Sequence, residues 1–116
     1  MAGCLFCEIV ARRSSADIEY EDDEILAFRD IYPKAPVHLL IVPKRHIESV
    51  LTLAPDDAPL MGRLLLAARR IGEERGFGER GYRLGINCGP EGGQDVYHLH
   101  VHFLAGRKDA PKVERR

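Results

Sequence analysis

Cysteine is scarce, with three in 116 residues. That number cannot build a secreted disulfide framework. Net charge is also nearly absent: 17 lysines and arginines stand against 18 aspartates and glutamates, a formal balance of −1. No basic surface of the kind that grips nucleic acid is therefore expected. A small phosphate-bearing ligand is not excluded, because it needs only a local site. Long apolar runs are missing too. No stretch reaches the roughly 18 residues that span a bilayer, and the opening MAGCLFCEIVARR lacks the apolar run and cleavage site of a signal peptide. The expectation is a cytoplasmic chain with no nucleic-acid and no membrane partner. Internal repeats and a composition break are absent as well, so residues 1–116 read as one domain, with 107–116 a charged tail.

Short periodic segments fill the chain. Residues 4–11 read as a brief helix with Phe6, Ile9 and Val10 facing inward. Residues 18–21 and 24–29 read as strands of a hairpin turning at Asp22-Asp23. A loop with two prolines, 30–36, leads to the most apolar strand, 37–42, which belongs in the middle of a sheet. Asp56-Asp57 with Pro59 marks the start of the one long helix: a carboxylate cap and a first-turn proline. Its stripe of Leu60, Met61, Leu64, Leu65, Ala68 and Ile71 is core, and Gly76 and Gly78 end it. Residues 82–88 form a fourth strand. The fold class is α+β, an antiparallel sheet of about five strands with a long and a short helix.

The fifth strand carries the chemistry. In Tyr97-His98-Leu99-His100-Val101-His102-Phe103-Leu104, histidine alternates with apolar residues. On a strand this puts His98, His100 and His102 on one face, with roughly 6–7 Å between successive Cα atoms of that face. Neutral imidazole has a free lone pair near neutral pH, so the row suits a metal site or a histidine nucleophile. The spacing does not choose between them. Cys4 and Cys7 have the C-x-x-C spacing that grips zinc from a tight turn, but tetrahedral zinc needs two more ligands. The glycine-rich loop 89–95 offers backbone N–H groups to an anion, since glycine removes the side chain that would block approach. It also brings Asn87, Gln94 and Asp95 near the histidines.

His98-Leu99-His100-Val101-His102-Phe103-Leu104 resembles the His-φ-His-φ-His-φ-φ signature of the histidine-triad (HIT) family. The Cys4–Ile9 start, Asp30-Ile31, His38, the 42–47 segment, Gly92-Gly93-Gln94 and 104–107 resemble the Hint branch, and the likeness covers nearly all of residues 4–107. It implies a homodimeric nucleotide hydrolase or transferase that acts at the α-phosphate. The nearest activity is that of a purine nucleoside phosphoramidase, with AMP as product. A diadenosine-polyphosphate hydrolase, or a nucleotide-binding adaptor with little catalysis, is the alternative.

By the same resemblance His100 is the nucleophile. Its other ring nitrogen donates to the carbonyl of His98, and His102 and His38 serve the phosphoryl oxygens. Asp30 takes the ribose hydroxyls, and Phe6, Ile9, Phe28 and Ile31 form the slot for the base. Asn87, Gly93, Gln94, Asp95 and Val96 complete the nucleotide shell. Asp95 stands where many Hint proteins have a serine facing the leaving group, and residues 108–116 do not match the Hint tail. In relatives that carry C-x-x-C, zinc is held by that pair, a later histidine and the first triad histidine. The matching positions are Cys4, Cys7, His46 and His98. Such zinc is structural, and no catalytic metal is expected.

Overall fold

The computed structural model describes residues 3–106. Within them lie helix α1 (Leu5–Val10), strands β1 (Ile18–Glu21), β2 (Ile25–Arg29) and β3 (Val37–Pro43), helix α2 (Ala58–Glu74), and strands β4 (Arg83–Gly85) and β5 (Val101–Ala105). All pairings are antiparallel, in the order β1-β2-β3-β5-β4. The most apolar strand, β3, is central as expected. Asp22 makes the first hairpin, because its Oδ1 accepts the N–H groups of Glu24 and Ile25, which is the usual use of aspartate in a turn.

The sheet is covered on both faces. On one, α2 buries Leu60, Leu64, Ala67, Ala68 and Ile71 against Ile25, Ala27, Leu39, Ile41, Val101 and Phe103. On the other, α1 buries Cys4, Phe6, Cys7 and Ile9 against Leu26, Phe28, Leu40 and Val42. This explains why β2 and β3 read as continuous apolar runs. Even-numbered residues of β3 face α1 and odd-numbered ones face α2. The pairing of Leu40 with His102 puts His102 on the α1 face, beside His38.

Four details differ from the pattern. The last strand starts at Val101, not at His98; Leu99 N–H goes to Ile47 O at 2.6 Å, outside the ladder. The alternation of faces still holds, since Leu99, Val101, Phe103 and Ala105 are all buried on the α2 side. β4 has three residues instead of seven, because the chain opposite it leaves the ladder before Val101. Leu65 is 55% exposed, and Ala67 takes the buried place in the helix stripe. Asp57 stands at the N-cap of α2, but its carboxylate turns back to accept Ala54 N–H at 2.9 Å. That carboxylate closes a 3₁₀ turn over Pro55–Asp57 and leaves the helix amides uncapped. At the other end, Gly76 (φ +83°) lets its N–H reach Glu73 O, and Phe77 N–H reaches Gly72 O, the Schellman closure. The expected tail, 107–116, lies outside the described residues.

Candidate active site and metal centre

The backbone aims His100. Its Nδ1 lies 2.7 Å from the carbonyl oxygen of His98. A carbonyl only accepts, so Nδ1 carries the proton and Nε2 keeps its lone pair. Phe6 meets the His100 ring edge-on at 5.1 Å, and the imidazole of His102 stands 5.0 Å away, centroid to centroid. His100 is buried but for a small edge.

A second hydrogen-bond chain fixes His102. Lys34 N–H donates to His38 Nδ1 at 3.1 Å, which leaves the neutral ring of His38 its proton on Nε2. That Nε2–H faces His102 Nδ1 at 2.9 Å, so His102 accepts on Nδ1 and carries its own proton on Nε2. Burial depresses the pKa of His38, against the opposing pull of Asp30. Burial, joined by the neighbouring His100 and His38, lowers that of His102 to about 4. Near neutral pH both rings are therefore uncharged, as the chain of tautomers requires. Asp30 Oδ2 lies 3.4 Å from His38 Nε2, and its Oδ1 accepts Tyr32 N–H at 2.9 Å.

The first triad histidine faces elsewhere. His98 is 0% exposed, and its Nε2–H donates to Pro43 O at 2.7 Å. Nδ1 is then unprotonated, and it points at Cys4 Sγ (3.4 Å) and Cys7 Sγ (3.5 Å). His46 Nδ1 lies 3.3 Å from Cys7 Sγ. Tetrahedral zinc, with bonds of about 2.3 Å to sulfur and 2.0 Å to nitrogen, separates its S and N ligands by roughly 3.6 Å. Cys4, Cys7, His46 and His98 thus form a set that a tetrahedral metal ion fits, and the Pro43 carbonyl, by accepting from Nε2, turns the His98 Nδ1 lone pair toward it. Burial raises the Cys7 thiol pKa, so a cation would be needed to hold a thiolate there.

Asp30, His38 and His102 also bring three potential ligand atoms together, but their wiring is the reverse. Lys34 N–H occupies the nitrogen of His38 that would have to hold the proton if Nε2 were to bind metal. The three triad histidines do not converge on one ion either: Nδ1 of His98 faces the cysteines, while Nδ1 of His100 is committed to a carbonyl.

Two cavities meet at these histidines. One, of about 260 Å³, is lined by Leu5, Phe6, Asp30, Tyr32, Lys34, Leu40, Gly93, Asp95, Val96, His100 and His102. The other, of about 350 Å³, has more polar walls that include Asn87, His38 and Arg83, and it shares Lys34, Gly93, Asp95 and His102 with the first. Of the expected base slot, Phe6 lines the first cavity. Ile9 and Phe28 are packed behind Phe6 in the core, and Ile31 is 78% exposed and forms no part of the wall. Leu5, Tyr32, Lys34 and Leu40 line it unforeseen by sequence. Tyr32, an aromatic residue in a proline-bounded loop, was the one recognisable signal among them.

The glycine loop is a built support more than a nest of free donors. A Cβ on Gly92 would lie 2.2 Å from Cys88 O, and Gly93 has φ +77°, so both positions demand glycine. Gly93 N–H donates to Pro90 O, and Gln94 N–H donates to Gly89 O. These two amides are committed inside the loop, contrary to the expectation of open anion donors. The Gln94 side chain is buried; its Oε1 accepts Gly89 N–H and its Nε2 donates to Glu48 O and Val96 O. Asn87 Nδ2 donates to Gly92 O at 2.7 Å. Gln94 and Asn87 thus shape the loop, and Asp95 borders both cavities.

Known proteins match nearly the whole chain. A family model described as scavenger mRNA decapping enzyme C-terminal binding covers residues 3–116. An uncharacterised HIT-like protein of Synechococcus elongatus is 50% identical over 103 residues, 89% of this chain and 90% of its own. The chain belongs to the histidine-triad (HIT) family. The purine nucleoside phosphoramidase of Escherichia coli K12 is 41% identical over 112 residues, 97% of this chain and 94% of that protein. Among solved structures, a HIT family hydrolase of Legionella pneumophila superposes with a TM-score of 0.89 at 46% identity, covering 91% of this chain and 95% of that one. A histidine-triad protein of Clostridium difficile gives 0.92 at 39% identity, covering 96% of each.

Proposed function

We propose that the protein is a purine nucleoside phosphoramidase that works through a nucleotidyl-histidine. The observation that carries this is the hydrogen bond from His100 Nδ1 to the His98 carbonyl, which turns a lone pair outward. The 41% identity to the E. coli phosphoramidase supports the same reading. Base and ribose enter the smaller cavity, with Phe6, Leu40 and Val96 against the base, Tyr32 at the mouth and Asp30 toward the sugar hydroxyls. The leaving amine projects into the polar cavity, beside Asp95 and Asn87.

His100 Nε2 attacks the α-phosphorus, the P–N bond breaks, and the departing amine takes a proton from solvent water. A water molecule then attacks the same phosphorus and gives up a proton to solvent, the Nε2–P bond breaks, AMP leaves, and Nε2 recovers its lone pair. His102, neutral and protonated on Nε2, offers that N–H to the phosphoryl oxygens, where negative charge gathers in the transition state. His38 holds His102 in this tautomer. Cys4, Cys7, His46 and His98 would hold a zinc ion that would tie α1 to the sheet; with all four positions filled by protein, such an ion would be structural and not catalytic.

The same reading includes a homodimer in a reducing cytoplasm, in keeping with three free cysteines. Leu65 and Leu66 on α2, with Leu84 and Ile86 at the β4 edge, are exposed apolar candidates for the interface. Sedimentation is expected to give twice the chain mass, and a monomer contradicts the assembly. For the activity, the protein is incubated with adenosine 5′-phosphoramidate and AMP release is followed. Turnover that is lost in His100→Ala is expected. AMP binding without turnover would make the protein an adaptor instead.

A further inference from the structure

We propose that Asp30 couples the sugar to the chemical step: a ribose hydroxyl on its carboxylate strengthens the N–H donor that His102 presents to the phosphoryl group. The inference rests on the nucleoside reading of the smaller cavity given above. It predicts that sugar hydroxyls are read in the rate of bond breaking and not in affinity alone.

The His38 proton lies in the field of a carboxylate. Lys34 N–H on Nδ1 confines that proton to Nε2, and His102 Nδ1 accepts it at 2.9 Å. Asp30 Oδ2 stands 3.4 Å from the same Nε2 without a hydrogen bond to it, and its charge attracts the proton away from the line to His102. Oδ1 accepts Tyr32 N–H at 2.9 Å, which holds the carboxylate in place.

Its side chain is 16% exposed, and it lines the cavity wall. Hydroxyl donors that enter this cavity reach the Asp30 carboxylate. A sugar O–H on the carboxylate draws its electron density away from His38, and the Nε2 proton is then held more fully in the bond with His102. Linked hydrogen bonds polarise one another. A firmer bond at His102 Nδ1 makes its Nε2–H a better donor to the oxygens that gain charge in the transition state. No proton changes owner; only the strength of the His38–His102 hydrogen bond changes. Asp30 is a positioning residue for His102 in this scheme, as well as a ligand of the sugar.

The test separates rate from affinity. Single-turnover formation of the His100 adduct is measured at saturating adenosine 5′-phosphoramidate and its 2′,3′-dideoxy counterpart, with Kd obtained separately by titration. For the wild type, the saturated rate is expected to fall with the dideoxy sugar by on the order of five- to tenfold, the size of one neutral hydrogen bond. Asp30→Asn keeps an amide oxygen for Tyr32 N–H but puts no negative charge beside His38, so its two saturated rates are expected to coincide. A sugar effect confined to Kd, with equal saturated rates in the wild type, would overturn the proposal.

A second arm needs no turnover. In ¹⁵N spectra of the histidine rings, the coupling across the His38–His102 hydrogen bond is expected to rise with AMP and to stay at its ligand-free value with 2′,3′-dideoxy-AMP. An equal response to both nucleotides overturns it. If neither sugar yields an adduct, the phosphoramidase reading fails, and the spectra alone decide the coupling.

Discussion

His38 and His102 share a hydrogen bond of 2.9 Å, and the backbone amide of Lys34 decides which ring donates. With Nδ1 of His38 already accepting from that amide, the proton must lie between the rings on the His38 side. His102 is thereby left with its N–H on the far nitrogen. Removing the donor frees His102 to choose either tautomer. His38→Ala is expected to lower kcat on the order of tenfold or more while leaving KM within a few-fold, the pattern of an interaction felt mainly in the transition state. Steady-state kinetics on adenosine 5′-phosphoramidate reads this directly. A pure KM effect would place His38 in ground-state binding instead.

Stability should carry the imprint of the same pair. His102 has its pKa lowered to about 4 by burial and by the neighbouring His100 and His38, with Asp30 pulling the other way. The unfolded chain therefore takes up this proton first as pH falls, from about 6.5. The stabilisation is complete above that value and is lost between about 6.5 and 4. Melting temperature is expected to drop across this window, and to drop less steeply in His102→Asn. Parallel slopes for the two proteins would show that the ring is not held neutral by the fold.

Metal is expected at one equivalent per chain, measured by elemental analysis of protein purified without chelator. Cys7→Ala should lose it and melt lower by about 10 °C or more, since binding to a folded site adds its free energy to folding. Activity should decay slowly under chelation, in step with loss of structure. Instant loss with the fold intact would mean that the ion takes part in the chemistry.

Asp95 borders both cavities, and a carboxylate beside a bound phosphate is a like-charge contact. Asp95→Ser is expected to tighten AMP several-fold by calorimetry, with the gain shrinking as salt is raised. Unchanged or weaker binding would indicate that Asp95 is turned from the phosphate.

The alternation around His98 to His102 was readable because apolar residues of one face must be buried whatever the hydrogen bonding. Leu99, Val101, Phe103 and Ala105 were, even though the ladder begins only at Val101. The central place of 37–42 followed from its being apolar on both faces. Ile31 is 78% exposed and stands outside the cavity lining, and hydrophobicity does not reveal which loop residues turn outward. Leu65 was misplaced because a helical stripe has soft edges. The bond from His100 to the His98 carbonyl was expected only through the family resemblance. The contacts of the Pro43 carbonyl with His98 and of the Lys34 amide with His38 were not expected at all, because main-chain groups leave no trace in residue identity.

The central claim is that His100 Nε2 bonds to phosphorus. Quenching the reaction within its first turnover and mapping the adduct by mass spectrometry tests this most directly. The expected result is an AMP moiety on the peptide that contains His100, absent in His100→Ala and retained in His98→Ala if that protein folds. AMP released with no adduct at any time point, or an adduct on His102, would contradict the account.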